Sequence, residues 1–314
     1  MYCQRWWLDA VAPNRYDILL VKKGDAIKAA WPLVYRAPGD RSRIVMPLLT
    51  QKLGILQSPS TAKYAERLSH EQRMVELLIE HLPEHRIFKQ RFHEAFTDWL
   101  PFYWSDFTQS TRYTYVIEDL SDMETVWGNM REARRRAIRK AEKQHMVVRE
   151  IDDIEYFYQL ITKTFSRQNK EVPYGLPLVA SIDTALQANA GRRMTIAEDS
   201  EGRIHACDYL AYDERIGISL LGGADPELRS SGAQVLLEWE SIKFTSTLAP
   251  VFDFEGSMIR NIEHFMRGFG ATQMPYFDIS RRGSSYPLDR LDQRVRQQFS
   301  RGLQHLAKRI DPTS

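Results

Sequence analysis

The chain has little cysteine, no long apolar run and almost no charge imbalance. Two cysteines in 314 residues, Cys3 and Cys207, cannot build a disulfide framework. They stand far apart and in no CxxC spacing, which excludes a thiolate metal site or a vicinal redox pair. Purely apolar runs such as ILLV at 18–21 fall far short of the roughly 20 residues a membrane helix needs, so stable membrane insertion is not expected. The first residues, MYCQRWWLDAV, lack a signal peptide's apolar core and read at once as a helix, which predicts a cytoplasmic protein. A formal net charge of +2 argues against a polybasic anchor and against DNA as a partner. No repeat or low-complexity tract is present. What remains is an ordinary globular composition, 43% hydrophobic and 27% charged, long enough for one to three domains with real cores.

Along the chain, RYDILLVKKGDAIKAAWPLVYR (15–36) alternates and breaks at Gly24 and Asp25, predicting a hairpin. SRIVMPLLTQKLGI reads as a strand running into a Pro- and Gly-containing loop. SHEQRMVELLIEHLP (69–83) has the 3.6-residue period of a helix stopped by Pro83, and RIFKQRF and RYTYVIEDL read as strands. Residues 123–146 read as one basic amphipathic helix, with seven Lys or Arg against two Glu between Arg131 and Lys143. It is placed to connect two mixed α and β regions. The second region reads β-α-α-β-β-β-α-β-α-β. DSEG (199–202) and DER (213–215) separate its middle three strands into an antiparallel meander.

The stretch FDFEGSMIRNIEHFMRGFG (252–270) reads as a strand turning sharply into a helix, with Ser257 near the helix start. Strand alternation places Phe252 and Phe254 on one face and Val251, Asp253 and Glu255 on the other. The carboxyl end of a strand is where α/β proteins collect ligands, so the two acids are candidates to handle a proton or orient an amine. The competing reading is that they meet a cation on a neighbouring strand or point into water.

This order, with FDFEGS followed by HFMRGFG, resembles the acyltransferase domain of the Gcn5-related N-acetyltransferase (GNAT) superfamily over about 140 residues, from Gln144 to Gly283. With RYTYVIEDL leading to RRRAIRKAEKQ and the MPLLTQKLGI loop, the whole chain resembles the FemAB-type branch. The resemblance implies an α/β fold with mixed sheets: two tandem GNAT-like domains, 1–143 and 144–283, joined by the basic helix, then a helical tail over 284–314.

The resemblance further implies transfer of an acyl or aminoacyl group to an amine on a small molecule or a glycan precursor. The donor is acyl-CoA, such as acetyl-CoA, or an aminoacyl-tRNA, which would make tRNA a partner. GNAT enzymes cradle the coenzyme A pyrophosphate at a helix start, and RSSGAQ supplies Arg229 and Gly232 for it, although Gln234 stands where a small residue is expected. The backbone of LLGG, with Leu221, Gly222 and Gly223, could supply donors to an oxyanion. Asp253 and Glu255 are the catalytic candidates. Lys52, Arg267 and Arg281 are candidates for binding a phosphorylated acceptor, and Tyr113, Tyr115, Trp7 and Trp104 for stacking, though aromatics of this kind more often belong to the core. His205 and His264 have no partners at metal-ligand spacing, so no metal is assigned. Two rival classes remain: a catalytically silent double domain binding a nucleotide-sugar or glycan precursor, and an RNA-binding protein using the 131–143 helix through Arg134, Arg135 and Arg139.

Overall fold

The computed structural model describes residues 1–166 and 171–283; the expected helical tail over 284–314 lies outside the described residues. The first region contains α1 (Arg5–Val11), β1 (Tyr16–Lys23), β2 (Ala26–Val34), β3 (Arg43–Ile44), β4 (Leu56–Gln57), α2 (Tyr64–Glu80), β5 (Ile87–Arg91), α3 (Leu100–Trp104) and β6 (Thr108–Ile117). Helices α4 (Met123–Asn129) and α5 (Glu132–Lys143) follow. Then come β7 (Val147–Ile151), α6 (Ile154–Ser166), α7 (Leu176–Asn189), β8 (Gly191–Glu198), β9 (Ile204–Tyr212), β10 (Ile216–Ala224), α8 (Ala233–Ser246), β11 (Val251–Asp253), α9 (Arg260–Arg267) and β12 (Thr272–Arg282). Among the described residues no helix is long and apolar enough to cross a membrane.

The expected hairpin forms: β1 and β2 pair antiparallel through a turn at Gly24, whose φ of +60° suits glycine. With β4 they make a small three-stranded sheet. The nine remaining strands form one sheet in the order β3-β5-β12-β6-β11-β10-β9-β8-β7. Strand β12 runs antiparallel to both β5 and β6, and β6 also pairs with β11, so the two regions share a continuous sheet. The β8-β9-β10 meander is antiparallel as its short turns require.

The expected single basic helix is two. Met130 and Arg131 take extended backbone angles, with ψ of 144° and 140°, and the Arg131 N–H bonds the Gly268 carbonyl at 2.9 Å. That bond to the α9–β12 turn replaces the helical one and bends the chain.

Two cores sandwich the second half of the sheet. On one face α1, α6 and α7 bury Trp7, Phe157 and Ile182 against Cys207 and Tyr209; on the other α4, α5 and α8 bury Ile138, Leu237 and Phe252 against Ala206 and Leu210. Each core is built on the period-2 alternation of β9, which is apolar on both sides because both are covered. A third core, around Trp31, Phe88 and Phe102, sits in the first region.

Candidate active site

Strands β10 and β11 are parallel neighbours but stay paired only from Ile216 to Ile218, against Val251 to Asp253. Beyond Ile218, β10 continues to Ala224 bonded to β9 on its other edge, with a bulge between Ser219 and Leu221. The chain after Asp253 turns away. Among the described residues no further backbone bond joins β10 to it, so a wedge opens at the carboxyl ends of the two strands.

The turn after β11 is backbone-strained. Glu255 and Gly256 have φ of +62° and +66°, a region unusual for a glutamate. A β-carbon on Gly256 would fall 2.0 Å from the Tyr113 carbonyl, so glycine is required there. The Glu255 N–H is fixed by Asp253 Oδ1 at 2.8 Å, and its carbonyl by the Gln51 amide.

The two acids divide. Phe252 and Phe254 do lie in one core, and Asp253 points to the opposite face. There Asp253, 1% exposed, accepts Lys52 Nζ at 2.5 Å and Thr114 Oγ1 at 2.5 Å besides the Glu255 N–H. Lys52 also meets Glu94 at 3.0 Å. Burial works against the Lys52 charge, but the two carboxylates outweigh it and raise its pKa. Lys52 is therefore held as an ammonium with two of its three donors turned inward, a poor phosphate clamp. Asp253 accepts three hydrogen bonds, two on Oδ1 and one on Oδ2, all from groups of the protein. Glu255 differs: its Oε1 is enclosed and without a hydrogen-bond partner, and burial pushes its carboxyl well above the ordinary range. Beside this turn lie Arg91, Arg112 and Tyr276, with Gln51 bonded to Arg91 at 3.2 Å and to Tyr276 at 2.9 Å, and Arg112 reaching Tyr276 at 3.4 Å. These residues stand in three distant segments, and nothing in their local sequence links them.

The far end of β10 can be reached from both faces of the sheet. Gly222 is exposed at the wedge, and a β-carbon there would lie 3.4 Å from Gln234 Nε2. Gly223 helps wall a cleft of about 550 Å³ between α6 and the start of β9, lined also by Tyr156, Lys163, Thr164, His205 and Leu228. The His205 imidazole is held by Asp199 at 2.9 Å, and that contact keeps the Asp199 carboxyl well below its usual range. Leu221 is buried in the core shared with α6.

The other expected residues are placed as follows. Gly232, with φ of +87°, precedes α8, but it and Ser231 are buried, and a β-carbon on Gly232 would strike the Ala137 carbonyl of α5 at 2.3 Å. Lys140 of α5 closes over the Ser230 carbonyl. On this side α5 covers Gly232 and the Ser230 carbonyl, while Arg229 and Ser230 remain exposed at the start of α8. Arg267 pairs with Glu263 at 2.8 Å, and Arg281 is stacked over Phe107 at 4.1 Å and bonded to the Ser105 carbonyl at 3.1 Å. Trp7 and Tyr115 belong to the cores, whereas Trp104 is 56% exposed. His264 meets Arg131 at 3.0 Å. Among the described residues no group of three or more His, Cys, Asp or Glu could hold a metal.

Residues 128–256 match the family model described as the acetyltransferase (GNAT) domain. Among solved structures the chain is similar to FemX, with a TM-score of 0.65 at 10% identity over 88% of this chain and 91% of that one. The C-terminal DUF2156 domain attributed to a lysylphosphatidylglycerol synthetase of Agrobacterium fabrum matches with a TM-score of 0.55 at 10% identity, covering 90% of this chain and 89% of that one. A tandem GNAT protein of the clavulanic acid biosynthesis pathway matches at 0.52 and 12% identity, over 88% and 85%. No curated protein matches the chain in sequence. At these identities the structural likenesses establish the fold, a tandem GNAT arrangement.

Proposed function

We propose that this GNAT-superfamily protein, FemAB-like in its fold, is an N-acyltransferase that works at the wedge between β10 and β11. The observation that carries the reading is the wedge itself. It combines an unpaired strand edge, a glycine exposed on that edge and, in the turn that follows β11, one strained acid with an enclosed, unpartnered oxygen. Strain and an unsatisfied buried acid both cost stability, and active sites are where such costs are retained.

In this reading the donor's acyl carbonyl lies along β10 from Ser219 to Gly222, where backbone N–H groups facing the wedge stabilise the oxyanion. The acceptor amine approaches from the 550 Å³ cleft on the other face of Gly223. Its nitrogen attacks the carbonyl carbon, a C–N bond forms, and the bond to the leaving group breaks. Glu255, held protonated by burial, gives its proton to the leaving group and regains one from the amine nitrogen. Asp253 and Lys52 hold the turn on which Glu255 stands. Arg91 and Arg112 are the cations nearest that turn for an anionic portion of the substrate.

The turn before α8, with α5 over Gly232 and the Ser230 carbonyl, favours an aminoacyl ester as donor over acyl-CoA. The test is the thermal midpoint with a non-hydrolysable 3′-aminoacylamino-adenosine, and separately with acetyl-CoA. A ligand at about a hundred times its Kd adds about 2.7 kcal/mol. The adenosine analogue should raise the midpoint of the wild type and not of Gly222→Phe, whose side chain would start against Gln234 and Asp208 and crowd the far end of β10. If neither ligand binds, or if Gly222→Phe binds as well as wild type, the site is misplaced.

A further inference from the structure

Under α8, on the sheet face away from the 550 Å³ cleft, lies a cluster of polar groups that the transfer chemistry leaves unused. Asp208 of β9 is 1% exposed and Glu238 of α8 3%. Ser241 of α8 donates to Asp208 Oδ2 at 2.7 Å, and the Ser219 side chain of β10 stands near enough to Glu238 to favour its charged form. The remaining oxygens, Asp208 Oδ1 and Glu238 Oε1, are buried and have no partner, and neither has the hydroxyl of Thr195, which stands opposite Asp208 in the ladder. Native proteins seldom leave so many polar atoms unsatisfied in one place.

Two neighbouring carboxylates in a low-dielectric core cannot both stay charged. A single proton on the pair removes the second buried charge and adds a donor where there are only acceptors; Ser241, bonded to Asp208, is three residues after Glu238 on α8, which puts the two carboxyls on the same helix face. One cation bears on the pair. Glu150 of β7 engages Arg193 of β8 through Nε at 3.2 Å, and the guanidinium lies over Phe244 of α8; its charge draws the Asp208 carboxyl down without overcoming burial, and its buried Nη1 has no hydrogen-bond partner. Helix α5 contributes buried Ile138 and Ala141 to the same core, and its Lys140 is bound to Ser230. Glu240 and Lys243 of α8 pair with each other, and Cys207 faces the opposite core.

The pair also brackets the bulge that shapes the wedge. Ser219, whose side chain favours the charged Glu238, is the last residue before it. Asp208 Oδ1 lies 3.5 Å from where a β-carbon on Gly222, just past the bulge, would stand.

We propose that Asp208 and Glu238 hold one proton between them and act as positioning residues, clamping the bulged end of β10 against α8. With the proton in place, Ser219 and Gly222 are drawn onto one neutral-plus-anion unit. Below the Asp208 midpoint a second proton enters the pair, the anion that draws on these groups is neutralised, and the bulge loosens. Burial raises both carboxyls in the direction this requires, Asp208 to about 7. The consequence for catalysis rests on the acyl-transfer reading; the shared proton does not.

The test is a pH titration of the full chain carrying aspartate labelled with carbon-13 at its side-chain carboxyl and glycine labelled with nitrogen-15, followed by NMR from about pH 5 to about pH 9. One aspartate carboxyl should titrate near 7, and the Gly222 and Gly223 amides should move with the same midpoint. In Glu238→Gln an amide that donates to the Asp208 anion replaces the carboxyl, so the Asp208 midpoint should drop. In Asp208→Asn the glycine signals should be flat. The proposal is overturned if every aspartate carboxyl titrates below about 5, or if Asp208 titrates near 7 while the two glycines stay still. These outcomes are read without any substrate, so they stand or fall separately from the transfer chemistry. The wild type and Glu238→Gln decide the matter even if Asp208→Asn does not fold.

Discussion

The ion pair of Lys52 with Asp253 joins segments 201 residues apart and gives the most informative perturbation of stability. Asp253→Ala removes the partner of a nearly buried ammonium and leaves Thr114 Oγ1 and the Glu255 N–H without their acceptor. Breaking a buried pair costs about 3–5 kcal/mol, because the surviving charge is stranded. Glu94, at 3.0 Å, still meets Lys52, which sets the expectation at the lower end, about 3 kcal/mol. Lys52→Met strands two carboxylates and should cost about as much. The double variant strands neither: Asp253 is gone, and Glu94, 27% exposed, can turn to water. Its cost should therefore fall short of the sum by about 2 kcal/mol. The assay is reversible urea unfolding, with midpoints compared at a common slope. Costs that add within about 0.5 kcal/mol would refute the claim that this pair holds the Glu255 turn.

Two other perturbations follow from single contacts. Gly256→Ala should destabilise by at least about 2 kcal/mol in the same urea assay, since the new methyl must displace the Tyr113 carbonyl at a φ of +66°; a cost below about 0.5 kcal/mol would contradict the turn geometry. For Asp208, a carboxyl raised from 3.8 to about 7 in the folded state contributes stability that is complete below pH 4 or so and lost as pH rises through about 7. At about 1.4 kcal/mol for each pH unit that span is worth on the order of 4 kcal/mol. Asp208→Asn should accordingly gain on the wild type in unfolding free energy between pH 5 and pH 8, and a constant difference across that range would count against the burial argument.

The order of elements was legible because each carries its own period. The meander of β8, β9 and β10, the two helices before it and the split of Phe252 and Phe254 from Asp253 all follow from local alternation and turn chemistry. What local pattern cannot carry is partnership between distant segments. Nothing in QMPYFDIS says that β12 slots between β5 and β6, and nothing in TQKLG says that Lys52 will meet an acid 201 residues later. Strand alternation also fails at Glu255, because the strand ends at Asp253 and the backbone turns left-handed. The break between α4 and α5 was hidden for the same reason: it is made by a tertiary bond to Gly268. Of the cations that suggested a nucleic-acid surface, Arg134 is half-buried on the Phe265 carbonyl, while Arg135 and the exposed Arg139 share Glu132. Substituting them together would disturb packing as well as charge. Asp208 and Glu238 did leave a signal, an acid inside the apolar run IHACDYLAY and another inside VLLEWESI. Acids in such runs are buried by their neighbours and must find a proton or a partner.

The most direct test of the account is single-turnover transfer from a labelled aminoacyl ester to a panel of amines, followed by mass spectrometry, with wild type and Glu255→Gln side by side. The account predicts amide product from the wild type, and from Glu255→Gln a rate lower by about 10²–10⁴-fold with the donor analogue still raising the thermal midpoint. Amide formation by Glu255→Gln at the wild-type rate, or none by the wild type from a donor it binds, would contradict it.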